Sequence, residues 1–300
     1  MYYSNGKLLL TAEYAVLDGA LALGIPTKYG QSLKLEPLQS NIITWESLDA
    51  DGEIWFKASF DSRTLQLISS SNSEVGLTLE RLLSKAKALN HEFNTQVEGL
   101  KIVSQLTFPR SWGLGSSSTL INNIAQWARV NPYELLHHTF GGSGYDIACA
   151  QYNSPILYQL KEGSPVVRSI TFNPSFRDQL FFVYLNQKQN SRDAISNYRK
   201  QAFNMSVLVK ELSSITKRIL GAKNINEFES LLQIHEEVLS KVLKIKPIKE
   251  QSFPDYFGTV KSLGGWGGDF VLATGNKKKT PGYFNAKGFD IVIPYEDMVL

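Results

Sequence analysis

Apolar and polar residues change their spacing several times along the chain, and the spacing predicts short strands mixed with helices. Residues 7–11 read as a strand. The apolar stretch 14–17 ends at a turn on Asp18-Gly19, and 20–25 is apolar again. From 31 to 60 the apolar residues come in bursts (Leu33 and Leu35, Ile42 and Ile43, Ile54 and Phe56) around a turn at Asp51-Gly52, the pattern of a β-meander. Over 76–90, Leu79, Leu82, Leu83 and Ala86 fall on one face of a helix. Residues 96–105 read as a strand. A helix is predicted from Ser117 to about Val130, with Leu120, Ile124, Trp127 and Ala128 in step, and a second from Pro132 to before Gly141-Gly142.

The second half reads as a strand pair, 156–160 and 166–172, around a turn at 162–164, then a buried strand at 180–185. Helices are predicted at about 191–219 and 225–243, with His235 as a partly buried core histidine. A glycine cluster within 261–274 leads into an apolar strand. Lys277–Lys279 reads as a solvated turn and 291–293 as a last strand. The shift from strand-rich to helix-rich sequence at Asn173-Pro174-Ser175 suggests a domain boundary near 175.

Composition narrows the function without naming it. The chain has 300 residues, enough for two domains. With 31 basic and 28 acidic side chains its formal charge is +3, too small to argue for nucleic acid. A single cysteine, Cys149, allows no internal disulfide, and no Cys/His set has metal-ligand spacing. No apolar run reaches the roughly 18 residues of a membrane span. A cytoplasmic protein, monomer or homodimer, with no nucleic-acid or membrane partner, is the expectation.

Three segments carry chemistry. In the first, Gly113-Leu114-Gly115-Ser116-Ser117-Ser118 precedes a predicted helix. A helix start has unpaired amides and partial positive charge, glycines allow close backbone approach, and serines add donors: a phosphate cradle. By itself such a stretch also reads as a flexible loop with a serine cap. It is neither the G-x-x-x-x-G-K-[ST] loop nor G-x-G-x-x-G. The second segment is Gly141-Gly142-Ser143-Gly144-Tyr145-Asp146-Ile147-Ala148, alone a glycine-rich turn with an aspartate. The third is Asn5-Gly6-Lys7 through Glu13-Tyr14, with Gly19 beyond.

Together these segments resemble the GHMP kinase superfamily, near its mevalonate and phosphomevalonate kinase branch. The stretch from Pro109 to Ser117 is similar to the family's P-x-x-x-G-L-G-S-S loop, the second segment to G-S-G-F-D-V-A, and the third to P-G-K-x-x-x-x-G-E-[HY]-x-V-x-x-G. Ser262 to Phe270 resembles the C-terminal G-A-G-G-G-D-C loop. The resemblance implies a two-domain α+β fold. Residues 1–175 would form a nucleotide-binding α/β domain with a left-handed βαβ unit, and 176–300 a ferredoxin-like domain. It implies an ATP-dependent kinase with Mg2+, acting on a small anionic metabolite such as mevalonate or phosphomevalonate. Gly113, Leu114, Gly115, Ser116, Ser117 and Ser118 would hold the nucleotide, with Ser116, Ser117 and Glu134 near the metal. Asp146 and Lys7 would serve the reacting centre. Glu13, Tyr14, Ser143, Gly144, Arg192, Gly265 and Trp266 would line the acceptor.

The match departs from the pattern at named positions. Asn5 replaces proline, Ala12 stands where the family has glycine, and Trp266 occupies a glycine position, where it either reshapes the loop or packs over the ligand. Two other readings stay open: a diphosphomevalonate decarboxylase-like enzyme, and a nucleotide- or metabolite-binding sensor of the same fold without turnover.

Overall fold

The computed structural model describes residues 1–94, 99–187, 191–266 and 268–300, apart from the side chains of Asn94, Ser191 and Arg192. The first residues of the expected 96–105 strand, Gly267 and the Arg192 side chain lie outside the described residues. In chain order the elements are β1 (Tyr2–Leu9), β2 (Ala22–Pro37), β3 (Ile42–Leu48), β4 (Ile54–Asp61), β5 (Leu67–Ser70), α1 (Ser73–Leu89), β6 (Leu100–Leu106), α2 (Ser116–Ala128), α3 (Pro132–Thr139) and α4 (Tyr145–Gln151). There follow β7 (Ile156–Lys161), β8 (Ser164–Ser169), β9 (Leu180–Tyr184), α5 (Ser191–Arg199), α6 (Met205–Leu220), α7 (Ile225–Leu243) and α8 (Ile248–Ser252). The chain closes with β10 (Val260–Ser262), β11 (Phe270–Thr274), α9 (Lys279–Ala286), β12 (Val292–Pro294) and α10 (Tyr295–Met298).

Backbone contacts divide the chain into two compact units. The first comprises Met1–Gly6, Tyr29–Arg110 and Leu114–Gln151. The second comprises Lys7–Lys28, Ser111–Gly113 and Tyr152–Leu300. In the first, strands run in the order β5-β4-β3-β6-β2, antiparallel except for the parallel pair β3 and β6. Alternation places Trp45, Phe56, Phe60 and Ile102 in one core with Leu79, Leu82 and Leu83 of α1 and Ile121 and Ile124 of α2. In the second, β10-β11-β9-β12 form an antiparallel sheet. Its β9 is buried at every position, so it reads as a continuous apolar run and not as an alternation. Residues 22–24 of β2 pair with β7, which pairs with β8.

Several elements differ from the sequence reading for local reasons. The two apolar stretches at 20–25 and 31–35 are one strand, β2. Its middle needs no ladder partner at Pro26, whose carbonyl accepts the Leu300 N–H at 3.2 Å. The expected 191–219 helix is two, because Asn204 caps a new start by accepting the Val207 N–H. Asp146 sits in the first turn of the short helix α4 and not in a bare turn, and Lys279 opens α9 where a solvated turn was expected.

The β1-to-β2 connection is held from inside the second unit by a buried charged cluster. Glu13, His235, Glu236 and Lys261 are all at most 2% exposed. Lys261 Nζ is paired with Glu13 Oε1 and lies 4.0 Å from Glu236 Oε1. His235 Nε2 accepts the Ala12 N–H at 2.8 Å. Burial holds the imidazole well below its ordinary pKa, with the Lys261 charge adding to this, so the ring is neutral. Its 3.3 Å approach to Glu13 Oε2 is therefore not an ion pair. These partners hold two positive-φ residues, Ala12 at φ 64° and Tyr14 at φ 61°, the latter at the centre of a γ-turn closed by the Ala15 N–H on the Glu13 carbonyl at 2.7 Å. A positive φ costs an L-residue about 1–2 kcal/mol, and it explains why glycine suits the Ala12 position.

Burial, opposed by Lys261 and reinforced by Glu13, pushes the Glu236 carboxyl up to about 8, while burial pushes Glu13 to about 6. A carboxyl whose pKa is raised on folding contributes stability that is full below its unfolded value, near 4.5, and lost as pH rises through the folded value. The depressed His235 acts oppositely, but only below about pH 6.5. Between pH 6.5 and 9 the Glu236 contribution therefore dominates this cluster. Glu236→Gln keeps an acceptor for the Ser262 N–H. It should flatten the fall of melting temperature across that window; parallel curves for variant and parent would show that Glu236 is ionised in the fold.

Candidate functional site

The glycine–serine segment forms a bare helix start. Four helices, α1, α3, α6 and α7, begin behind Asn72, Asn131, Asn204 and Asn224, each accepting a backbone N–H of its helix. Helix α2 begins behind Gly115, left-handed at φ 91°, with no side-chain cap. The Ser118 and Thr119 hydroxyls instead turn back onto the Gly115 carbonyl at 2.8 and 3.1 Å. A third bond, from Thr119 Oγ1 to Gln31 Oε1 at 2.6 Å, ties this turn to β2. Leu114 is fully buried and anchors the loop, whereas Ser116 is half-buried and Ser117 exposed. Among the described residues, neither of those two hydroxyls is engaged by another protein group. The first amides of α2 thus meet the requirement for an anion: unpaired donors at the positive end of a helix dipole.

In the second unit, Lys7 of β1 donates from Nζ to the Gly113 carbonyl at 2.8 Å. The short piece Ser111–Gly113 is braced by neighbours far along the chain. Tyr184 Oη donates to the Ser111 carbonyl at 3.1 Å, and Trp112 packs edge-on against Phe270 at 5.5 Å. The carboxylate of Asp269 lies against Gly113, at φ 66°, so closely that a Cβ there would stand 2.3 Å from its Cγ. The second glycine loop thus reaches the residue that opens the first. Asp269 and Lys261 were not singled out from sequence. Residues 248 positions apart, as Glu13 and Lys261 are, leave no spacing signal.

Asp146 is half-buried in the first turn of α4, its Oδ1 accepting the Ile147 N–H at 3.1 Å. Ser143 and the buried Gly144 immediately precede that helix, and the left-handed glycines 141, 142 and 144 aim the chain into it. Glu134 lies exposed in the first turn of α3. Among the described residues no group of three or more His, Cys, Asp or Glu side chains could hold a metal ion. At this helix start the side-chain oxygens a metal could meet are the Ser116 and Ser117 hydroxyls.

The remaining expected residues fall into two kinds. Glu13 is 1% exposed and committed to Lys261. Tyr14 is buried, stacks on Tyr198 at 5.4 Å and accepts the Trp266 N–H at 3.0 Å, and burial pushes its phenol up. Trp266 is 4% exposed, and the left-handed bend of its loop is taken by Gly264 at φ 68°, with the half-buried Gly265 between. Trp266 therefore packs into the loop, tied to the N-terminal motif. No helix among the described residues is long and apolar enough to cross a membrane.

The fold is similar to those of solved small-molecule kinases. A Methanococcus jannaschii mevalonate kinase matches with a TM-score of 0.71 at 17% identity, over 97% of this chain and 96% of that one. A Streptococcus pneumoniae phosphomevalonate kinase, in complex with phosphomevalonate and AMPPNP, matches at 0.70 and 15% identity over 95% of each chain. A Lactococcus lactis galactokinase, complexed with galactose, matches at 0.69 and 11%, over 96% of this chain and 90% of that one. No family model matches the chain, and no curated protein matches it in sequence. The likeness runs nearly end to end, and it shows that this chain shares the α+β fold of these solved kinases.

Proposed function

We propose that this chain is an ATP-dependent phosphotransferase that moves the γ-phosphoryl group to a small anionic metabolite, with mevalonate and phosphomevalonate as the first acceptors to test. The observation that carries this reading is the uncapped start of α2. It is preceded by two left-handed glycines and carries the P-x-x-x-G-L-G-S-S residues, while every asparagine-capped helix lacks that opening. Bound ATP supplies the phosphoryl group. The chain supplies positioning and charge, which is most of what phosphoryl transfer requires. The amides from Ser116 onward hold the anionic tail. The Ser116 and Ser117 hydroxyls add donors and suit magnesium. Lys7 offers an ammonium beside the loop, and Asp146 orients the acceptor and takes its proton. No covalent intermediate on the chain is needed.

One observation favours a second reading, a nucleotide- or metabolite-binding sensor without turnover. Glu13, expected at the acceptor, is occupied internally by Lys261. A screen of ADP release against mevalonate, phosphomevalonate, homoserine and simple sugars separates the two. ADP release that depends on one acceptor supports the kinase, and tight nucleotide binding with no release across the panel supports the sensor. A product lighter by carbon dioxide would instead identify the decarboxylase.

Asp146→Ala should leave ATP affinity within a few-fold of the parent and lower kcat by about two to four orders of magnitude, the usual range for losing a general base. Unchanged kcat would remove Asp146 from the reaction. Gly115→Val, which forces a β-branched side chain into the left-handed region, should weaken ATP binding at least tenfold in calorimetry. Equal affinities would show that the nucleotide does not sit at this loop.

A further inference from the structure

Resting on the kinase reading, we propose that Asp269 is a positioning residue of the nucleotide loop, acting through Gly113. Four observations within the second unit converge on it. Asp269 is 9% exposed and left-handed at φ 54°. Its backbone is locked on both sides: its N–H donates to the Gln187 carbonyl at 2.7 Å, and its carbonyl accepts the Leu185 N–H at 2.8 Å. Its carboxylate occupies the space a side chain at residue 113 would need, with both oxygens 2.5 Å from a Cβ built there. The carbonyl of the same glycine holds the Lys7 ammonium at 2.8 Å.

One glycine is thus held from two directions, by a carboxylate on its Cα and an ammonium on its oxygen. A carboxylate so near an anion-binding loop would oppose a triphosphate if it stood alone. The Lys7 charge on the same residue offsets it. The gain is a defined origin for the loop. Gly113 cannot rotate or shift without striking Asp269, and the amides that receive the nucleotide start three residues further along the chain. Loss of about 1 Å of placement in such a site is enough to change binding and rate substantially.

The test uses the full chain and AMPPNP binding by calorimetry, with ADP release where an acceptor has been found. Asp269→Gly and Asp269→Asn both suit a left-handed backbone, so folding should survive, and melting temperatures check it. Asp269→Gly should weaken AMPPNP at least tenfold and raise the nucleotide KM while leaving the acceptor KM within twofold. Asp269→Asn, which keeps the shape against Gly113, should bind within threefold of the parent. If Asp269→Gly does not fold, Asp269→Ser should show the same loss. In a double-mutant cycle, Gly113→Ala should cost at least threefold less AMPPNP affinity in the Asp269→Gly background than in the parent, because the collision is gone. AMPPNP affinity of Asp269→Gly within twofold of the parent, or an equal cost of Gly113→Ala in both backgrounds, overturns the proposal. A parent that binds AMPPNP but releases no ADP with any acceptor sinks the kinase reading alone and leaves these binding ratios to decide. A parent that binds no AMPPNP overturns both.

Discussion

The ion pair between Glu13 and Lys261 governs the geometry of the N-terminal motif. Both groups are buried, so each would carry a large desolvation cost without the other. Their union braces the turn at residues 12–14, where Ala12 and Tyr14 both hold positive φ. His235 completes the arrangement by taking the Ala12 amide, which a buried loop could not leave unpaired. Once residues 12 to 14 are set, Tyr14 presents its hydroxyl to the backbone of Trp266, and the N-terminal and C-terminal glycine-rich motifs are joined. A glutamate of a recognisable motif here does structural work through a lysine that no motif contains.

The same logic recurs at Gly113. Chain segments more than a hundred residues apart meet on a residue without a side chain, and the absence of that side chain makes room for them. Aromatic packing of Trp112 on Phe270 and Tyr184 surrounds the contact, so the loop opening rests on a rigid sheet and not on its own conformational preferences. Two opposite charges meet the same glycine, Lys7 at its carbonyl and Asp269 at its Cα, and in the interior Lys261 pairs with Glu13.

How much of this was legible in the sequence depends on range. Helices α1 and α2 announce themselves through apolar spacing, and β9 through an unbroken apolar run, because one buried face or strand writes a local pattern. The glycine–serine segment at 113–118 is equally visible, since its pattern lies in consecutive residues. The seven residues of α4 are too few for a period to emerge, and α8 hides behind Pro247. The break before α6 carried a signal, Asn204, that the apolar pattern across 191–219 obscured. The pairing of Lys261 with Glu13, and the seat of Asp269 on Gly113, belong to tertiary structure. A lysine after a valine and an aspartate after two glycines look ordinary until the chain around them is placed.

Among the described residues, α1, α3, α6 and α7 are finished by their own asparagines, and α2 is not. On the reading advanced above, its first turn is completed by a molecule that diffuses in. Whatever binds the native chain and not the unfolded one shifts the folding equilibrium by mass action. The supply of nucleotide around the protein then becomes one of the variables that set how much of it is folded, and a shortage would be felt first as fraying at Ser116.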